Sequence, residues 1–213
     1  MLPYRVATPR IVASLAPAGA GVRTTISMER DGAAETVRDV KAPDLWAALK
    51  ELLVLQSLHE TEGARSVDLS LDQAVVNRAL STPAVKTLLA NNHLRSVDVT
   101  FSPDGIVVGV VPQLGPIRLP RRQYAVGVKA KRGGLELDLA EILGIPIAGS
   151  KIAAIIDAKA AELDWLTIRR RGNLLTIGYR RLRLDRATVA DGSLHATLSA
   201  APDPPRRRTP RET

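Results

Sequence analysis

The chain has 213 residues and no cysteine, which excludes disulfides, thiolate metal sites and cysteine nucleophiles. Its formal net charge of +8 favours an anionic partner, such as a phospholipid surface or nucleic acid. No apolar run approaches the roughly 20 residues that span a bilayer, so the sequence predicts a protein that is soluble or peripheral to a membrane.

The N-terminal part of the chain alternates apolar and polar residues, which is typical of strands. The stretch before Pro17 is short and only mildly apolar, so an ordinary first strand is favoured over an export signal. Residues 22–28 and 35–40 alternate on either side of the turn signal Asp31-Gly32. This pattern predicts a hairpin.

Helices are predicted on both sides of a further strand. Leucines recur at helical spacing from Pro43 until Gly63 stops the pattern, and this helix is expected to cover the hairpin. A strand then leads to Ser70, which with Gln73 fits a capping box at the start of a second helix. Thr82-Pro83 predicts the start of a third, short helix.

Two hairpins are predicted in the middle of the chain. Residues 97–111 alternate around the turn Ser102-Pro103-Asp104-Gly105. Residues 124–130 and 135–139 alternate around Arg132-Gly133-Gly134. The second of these is the clearest hairpin signal in the sequence.

A break at Gly144-Ile145-Pro146-Ile147 precedes a strongly apolar helix, which is predicted from Ser150 to Leu163. Two closing hairpins are predicted to turn at Gly172-Asn173 and at Asp191-Gly192. After them, the Pro- and Arg-rich tail cannot bury enough apolar area to order itself.

The succession of hairpins and helices predicts an α+β fold with an extended antiparallel sheet. We expect residues 1–200 to form one domain, because no repeat or clear interdomain linker divides them. Within it, residues 1–62 supply an N-terminal hairpin and helix that pack on the remainder. Residues 201–213 are predicted to be a disordered basic tail.

Two segments combine these elements in a distinctive order. They are Leu69-Ser70-Leu71-Asp72-Gln73-Ala74-Val75-Val76-Asn77-Arg78-Ala79-Leu80 and Gly144-Ile145-Pro146-Ile147, which precedes the helix at Ser150. With the strands around them, they resemble the bacterial branch of the tubular lipid-binding (TULIP-like) superfamily, particularly the LmeA-like phospholipid-binding proteins. The resemblance covers about residues 67–198. It implies a long curved antiparallel β-sheet wrapped around a long apolar helix, with additional short helices.

The resemblance also implies a noncatalytic lipid-binding or lipid-transfer protein that holds acyl chains in an apolar cavity. The cavity would lie between residues 152–163 and the strands at 124–139. The predicted lipid-binding residues are Val126, Val128, Leu135, Leu137, Ile152, Ile155, Ile156 and Leu163. The alternative is an ordinary buried core helix, because a filled core and a hollow one use the same apolar alternation.

Basic residues accompany the hairpin at 124–139. Arg121, Arg122, Lys129 and Lys131 are predicted to contact anionic headgroups of a phospholipid or of a membrane surface. Lys129 and Lys131 should share the polar face of their strand. Salt is expected to weaken this attraction. The alternative interpretation of these residues is a solvated strand face.

A basic interaction or nucleic-acid-binding module without a ligand cavity is the alternative function. Arginines at 169–171, 180, 181, 183 and 206–208 are available to neutralise phosphates. One Phe, three Tyr and two Trp leave few aromatic residues for base stacking. This composition argues against recognition of single strands and leaves nonspecific electrostatic attraction.

The sequence predicts no catalytic residue, no metal site and no cofactor. His59 with Glu62 is more typical of a solvated helix end than of a metal site, and His93 and His195 stand without a surrounding motif. The sequence contains no nucleophile elbow, phosphate-binding loop, dinucleotide fingerprint or HExxH motif. We therefore expect a protein that binds a ligand without transforming it.

Overall fold

The computed structural model describes residues 8–64, 66–91, 93–131, 134–138, 166–171, 174–179 and 182–200. They form an α+β fold, as the sequence predicts. The strands are β1 (Arg10–Ala18), β2 (Gly21–Arg30), β3 (Ala33–Ala42), β4 (Ser66–Asp72), β5 (Leu94–Ser102), β6 (Gly105–Leu114), β7 (Ile117–Arg118), β8 (Arg122–Lys131), β9 (Gly134–Asp138), β10 (Leu166–Arg171), β11 (Leu174–Tyr179), β12 (Leu182–Ala190) and β13 (Ser193–Ala200). The helices are α1 (Leu45–Glu51), α2 (Leu53–Glu62), α3 (Gln73–Leu80) and α4 (Pro83–Asn91).

The strands are divided between two open sheets, instead of the single extended sheet that we expected. The first sheet has the order β12-β13-β4-β1-β2-β3. The second has the order β10-β11-β9-β8-β6-β5, and β7 pairs with β6. The division follows from α3 and α4, which lead the chain out of the first sheet after β4 and into β5.

The first sheet is mixed, which a succession of hairpins does not predict. β1 pairs antiparallel with β2 but parallel with β4, with Ile11 opposite Val67. Between β1 and β4 the chain passes through the β2–β3 hairpin and through α1 and α2. This path is long enough for the chain to return in the same direction, as a parallel pair requires. β1 therefore becomes a central strand.

One face of the first sheet is apolar and carries α1 and α2. The buried apolar residues of this core are Ile11, Ala13, Leu15, Val22, Ile26, Ala42, Ala48, Leu52, Leu55, Ala64, Val67, Val75, Leu184 and Leu198. Thr24 is fully buried among them, and its hydroxyl donates a hydrogen bond of 3.4 Å to the carbonyl oxygen of Ala48. This bond satisfies a polar group that would otherwise destabilise the core.

The single helix predicted between Pro43 and Gly63 is observed as two helices. α1 begins after Asp44, whose carboxylate accepts a hydrogen bond of 2.9 Å from the backbone nitrogen of Ala47. Leu52 separates α1 from α2. Gly63 ends α2 in the left-handed conformation, with φ of 64°, at the position where the sequence predicts the helix to stop.

α3 begins at a different cap from the predicted one. The carboxylate of Asp72 accepts a hydrogen bond of 2.7 Å from the backbone nitrogen of Ala74. The predicted capping box of Ser70 with Gln73 is therefore wrong. Ser70 still lies within β4, and Asp72 directly precedes the helix. The side chain of Gln73 instead reaches the second sheet.

The second sheet is antiparallel throughout, and its three predicted hairpins are confirmed. They are β5–β6, β8–β9 and β10–β11. The β12–β13 hairpin of the first sheet is also confirmed, with its turn at Asp191-Gly192. The predicted apolar helix at 150–163 and the predicted tail at 201–213 lie outside the described residues.

The two sheets are joined by α3 and by the β12–β13 hairpin. β12 is an edge strand of the first sheet and contacts β5, β6, β8 and β9 of the second. Val75 of α3 is buried in the core of the first sheet, whereas Val76 and Leu80 pack against the apolar face of the second. α3 therefore supplies side chains to both cores.

Candidate functional site

The apolar face of β8 becomes progressively less covered from Val126 to the end of the strand. Val126 is buried at 5% relative exposure, Val128 is half-buried and Ala130 is exposed. These alternate residues share one face of the strand. Tyr124, on the same face nearer the start of β8, is half-buried. β8 therefore carries an apolar row that begins in the packed core and runs out of it.

Val126 itself lies in a filled part of the core. It stands opposite Ile106 in the β6–β8 ladder and packs in one cluster with Val99 and Phe101. Half-buried residues complete the cluster, namely Val76, Leu80, Val108, Val128, Val189 and Leu194. Val126 thus marks the inner end of the predicted lipid-binding surface, where protein side chains already occupy the space.

β9 extends the same face. Leu135 stands opposite Ala130, and Leu137 stands opposite Val128. Residues directly opposite each other in an antiparallel pair share a face. The side chain of Leu135 is half-buried and packs against the core of the first sheet. The side chain of Leu137 is outside the described part of the structure, so for this residue the register alone gives its position.

The other predicted lipid-binding residues belong to the segment between β9 and β10. Ile152, Ile155, Ile156 and Leu163 lie outside the described residues and stay predictions. The described wall of the candidate site is therefore formed by β8 and β9 alone.

Three of the predicted headgroup residues lie on β8. Arg122 is exposed at the start of the strand, and Lys129 is exposed on the face opposite to that of Val128. Lys129 stands directly across from Glu136 of β9, so a carboxylate tempers the positive charge at this position. Lys131 is the last residue of the strand, and its side chain is outside the described part.

The fourth predicted headgroup residue, Arg121, is already bound to a carboxylate. Its guanidinium forms an ion pair with Asp98 of β5. The pair lies over Gly109, where an added Cβ would come within 2.5 Å of Arg121 Nη2 and 2.7 Å of Asp98 Oδ1. The missing side chain of Gly109 therefore provides the space for this ion pair. Arg121 is less available to a headgroup than Arg122.

Two amide side chains close one edge of the second sheet, a contact that the sequence analysis missed. β5 is the last strand of that sheet. The Asn77 amide donates a hydrogen bond of 2.8 Å to the carbonyl oxygen of Val99 and accepts one of 2.7 Å from its backbone nitrogen. The Gln73 side-chain oxygen accepts a hydrogen bond of 2.6 Å from the backbone nitrogen of Phe101. These amides replace bonds that a further strand would make.

The turn of the β12–β13 hairpin completes this edge. The carbonyl oxygen of Gly192 accepts a hydrogen bond of 2.9 Å from the backbone nitrogen of Gln73, and the nitrogen of Gly192 donates one of 3.2 Å to the carbonyl oxygen of Phe101. We call the contacts of Gln73, Asn77 and Gly192 with β5 the amide clasp. The signal for it in the sequence is the pair of amides four residues apart, which places them on one face of α3.

The outer face of the first sheet carries a polar network. Arg10 Nε donates a hydrogen bond of 2.5 Å to Asp68 Oδ2, and the Thr197 hydroxyl donates one of 2.7 Å to Asp68 Oδ1. The neighbouring Asp68 carboxylate raises the pKa of Arg10. Both oxygens of this carboxylate are bound within the protein. The network therefore stabilises the pairing of β1, β4 and β13.

A hydroxyl and an imidazole lie close together on the same outer face. Ser193 Oγ is 2.8 Å from His195 Nε2. Both residues belong to β13, where Ser193 is half-buried and His195 is exposed. Asp72, which stands opposite Ser193, caps α3. This pair supports no catalytic assignment, because a serine nucleophile also requires an oriented base and a site for the oxyanion.

Within the described ranges, no cluster of three or more His, Asp or Glu side chains has the arrangement that a metal ion requires. No helix in this part of the chain is long and apolar enough to cross a membrane.

The bulge in β12 predicts a pH dependence of stability. Asp185 is the extra residue, between Leu184 and Arg186. The Ser199 hydroxyl, followed by the Arg183 guanidinium, lowers the pKa of the Asp185 carboxyl. A lowered folded-state pKa stabilises the protein above the ordinary pKa of about 4, and this contribution is lost as the pH falls through the folded-state value.

We therefore expect the Asp185→Asn variant to be less stable than the parent protein near neutral pH. The loss should be less than about 1 kcal/mol, because the Arg183–Asp185 ion pair is at the surface. The difference in unfolding free energy should shrink as the pH falls below about 4. Urea unfolding of both proteins across this pH range measures it. A difference that is constant over the whole range would contradict the assignment.

The described residues assemble one candidate binding surface. Its apolar part is exposed Ala130 of β8, bordered by Val128 and Leu135, which are half-buried against the two cores. Arg122 and Lys129 lie on the same hairpin as exposed cations. Comparison with protein-family models, with curated proteins and with solved structures finds no match to this chain.

Proposed function

We propose that the protein is a noncatalytic lipid-binding or lipid-transfer protein. The observation that carries the proposal is the rising exposure along one apolar face, from buried Val126 through half-buried Val128 to exposed Ala130. An apolar row that leaves a packed core offers an acyl chain a surface on which it loses contact with water. The resemblance of residues 67–198 to tubular lipid-binding proteins supports the same function.

The strand directions support an enclosed site. β9 and β10 both pair antiparallel with β11, which lies between them, so they run in the same direction. A connection between two such strands crosses one face of their sheet. The segment that joins β9 to β10 lies outside the described residues. We propose Ile152, Ile155, Ile156 and Leu163 of this segment as further lipid-binding residues, as the resemblance implies.

The energetics of acyl binding are favourable but reversible. Burial of each methylene contributes about 0.8 kcal/mol, so a chain of about ten methylenes contributes roughly 8 kcal/mol before the costs of ordering. A bilayer offers an acyl chain the same burial. The protein therefore exchanges lipid with a membrane, and its net affinity depends on the headgroup and on how well the cavity is preorganised.

The headgroup is proposed to meet exposed cations of the β8–β9 hairpin. Arg122 stands at one end of β8, and Lys129 and Lys131 stand towards the other. Each basic residue near an anionic surface contributes about 1 kcal/mol, and salt weakens the attraction. Binding to anionic vesicles is compared between a charge-reversal variant of Arg122 and one of Lys129. The variant that binds more weakly shows which end of β8 meets the membrane.

Lipid binding by the apolar face is tested by placing a large side chain on it. Ala130 and Ala125 are both exposed residues of β8, but they lie on opposite faces of the strand. We expect Ala130→Trp to lower the uptake of a fluorescent phospholipid by roughly tenfold, because the indole occupies apolar surface that the acyl chain needs. Ala125→Trp is the matched control and should leave uptake unchanged.

Two results would count against the proposal. Equal uptake by the two tryptophan variants, both folded by circular dichroism, would show that the face of Ala130 does not bind lipid. Binding of RNA or DNA that falls steeply with salt, together with no lipid uptake by the parent protein, would favour the basic interaction module.

A further inference from the structure

A small hairpin at one end of the second sheet has a rigid turn. β6 pairs with β7, and Leu114 stands opposite Ile117. Gly115 in the turn has a φ of +59°, which favours glycine, and Pro116 fixes the next φ angle. The side-chain amide of Gln113 donates a hydrogen bond of 2.9 Å to the carbonyl oxygen of Gly115. The tip of this hairpin is therefore preorganised.

The side chain at the tip is unusually exposed for its type. Ile117 is 59% exposed, compared with 41% for Val37, the other exposed large apolar side chain in the described part of the chain. Gly115 and Pro116 beside it are also exposed. Isolated apolar residues on a surface are common. Ile117 differs because it directly follows a turn that Gly115 and Pro116 constrain.

Cations follow this tip in the sequence. Arg118 comes directly after Ile117, and Arg121 and Arg122 stand where the chain enters β8. Arg122 is exposed, and Arg121 forms an ion pair with Asp98 of β5. An apolar tip that is followed in sequence by basic residues complements the interface of an anionic bilayer, where acyl chains lie beneath negative headgroups. This charge complementarity favours a membrane over an apolar protein groove.

We propose that the β6–β7 hairpin is a membrane-docking element. Ile117 enters the interfacial region of an anionic phospholipid bilayer, and Arg122 contacts its headgroups. The proposal rests on the proposed lipid-binding function and adds the place where the protein meets its lipid source. The membrane would then meet the Arg122 end of β8, and not the end that carries Lys129 and Lys131.

The absence of cysteine from the chain allows a direct test. Ile117→Cys and Val37→Cys each introduce one site for a polarity-sensitive fluorophore. The labelled proteins are mixed with vesicles of phosphatidylcholine, with and without phosphatidylglycerol. We expect a blue shift of the probe at position 117 on the anionic vesicles, weakened by salt, and none at position 37. No shift at position 117, or an equal shift at both positions, would overturn the proposal.

An unlabelled pair of variants separates docking from lipid binding. Ile117→Ser should weaken co-sedimentation with anionic vesicles roughly tenfold, because one large apolar side chain no longer enters the interface. Val37→Ser should leave it unchanged. Uptake of a soluble short-chain phosphatidylcholine should be the same for both. Equal sedimentation of the two variants would overturn the docking element, whereas failure of the parent protein to take up soluble lipid would overturn the cavity and leave docking standing.

Discussion

The Asn77→Leu variant is expected to unfold with a free energy roughly 3 kcal/mol lower than that of the parent protein, because both backbone groups of Val99 lose their partners. These groups lie at a part-buried edge, where the Asn77 amide makes bonds of 2.7 and 2.8 Å. The leucine side chain has the same number and branching of heavy atoms but no polar atom. Denaturant unfolding measures the loss, and hydrogen exchange at the Val99 amide locates it.

The control for this variant is Asn91→Leu. Asn91 is exposed at the end of α4, so its replacement should change the unfolding free energy by no more than about 0.5 kcal/mol. Unchanged protection of the Val99 amide in Asn77→Leu would contradict the amide clasp. A uniform loss of protection over the whole protein, with no excess at β5, would also argue against it.

The Gly21→Ala variant is expected to lose about 3 kcal/mol of stability, because its Cβ would collide with backbone atoms of the paired strand. The added carbon would lie 2.2 Å from the carbonyl oxygen of Ala42. Val22 and Ala42 are partners in the β2–β3 ladder, so neither backbone moves without breaking this end of the hairpin. Thermal unfolding followed by circular dichroism measures the loss.

Gly63→Ala is the matched control. It makes the same substitution at a position where the backbone conformation, and not a close contact, favours glycine. Gly63 has a φ of +64° and open space around it, so alanine there costs only left-handed strain of about 1 kcal/mol. Equal destabilisation by the two substitutions would contradict the close approach of β2 and β3 at Gly21.

Local structure in this chain is well predicted by alternation and turn residues. The β8–β9 hairpin is a clear example, since Val126 and Val128 alternate with Gly127 and Lys129 and are more buried than these neighbours. A period of two specifies which side chains share a face, whatever the rest of the fold does. The predicted hairpins, and the residues that share a face on β8 and β9, therefore agree with the structure where it describes them.

The alternation of apolar and polar residues does not predict which distant strands pair. The parallel contact of β1 with β4 brings together segments separated by a hairpin and two helices, and alternation within each strand is the same for parallel and antiparallel partners. The cap of α3 was also misassigned, because Ser70 and Asp72 are both good capping residues by type. The end of β4 decides between them, and it depends on strand pairing.

Three edges of the two sheets carry features whose role could not be predicted from the sequence. Val37 is an extra residue in edge strand β3, and Asp185 is an extra residue in edge strand β12, so a bulge interrupts each of these edges. The amide clasp covers the edge at β5. Such devices prevent an exposed edge from pairing with another chain. In the sequence, the same residues look like ordinary polar and apolar members of strands and helices.

The residues that share one face of the β8–β9 hairpin could be predicted from the sequence. Register and exposure place Val128, Ala130 and Leu135 on a common face, as the sequence indicates. The neutralising partners of the basic residues could not be predicted, because Asp98 reaches Arg121 from a strand that is distant in sequence. Because Asp98 holds Arg121, our headgroup proposal gives more weight to Arg122, at the start of β8.

The central claim is that the protein holds an acyl lipid. Native mass spectrometry of the protein purified without detergent, before and after incubation with phospholipid, tests it most directly. We predict a stoichiometric adduct whose extra mass is that of a phospholipid and which organic extraction removes. A mass equal to that of the bare chain under both conditions, for a protein shown to be folded, would contradict lipid binding.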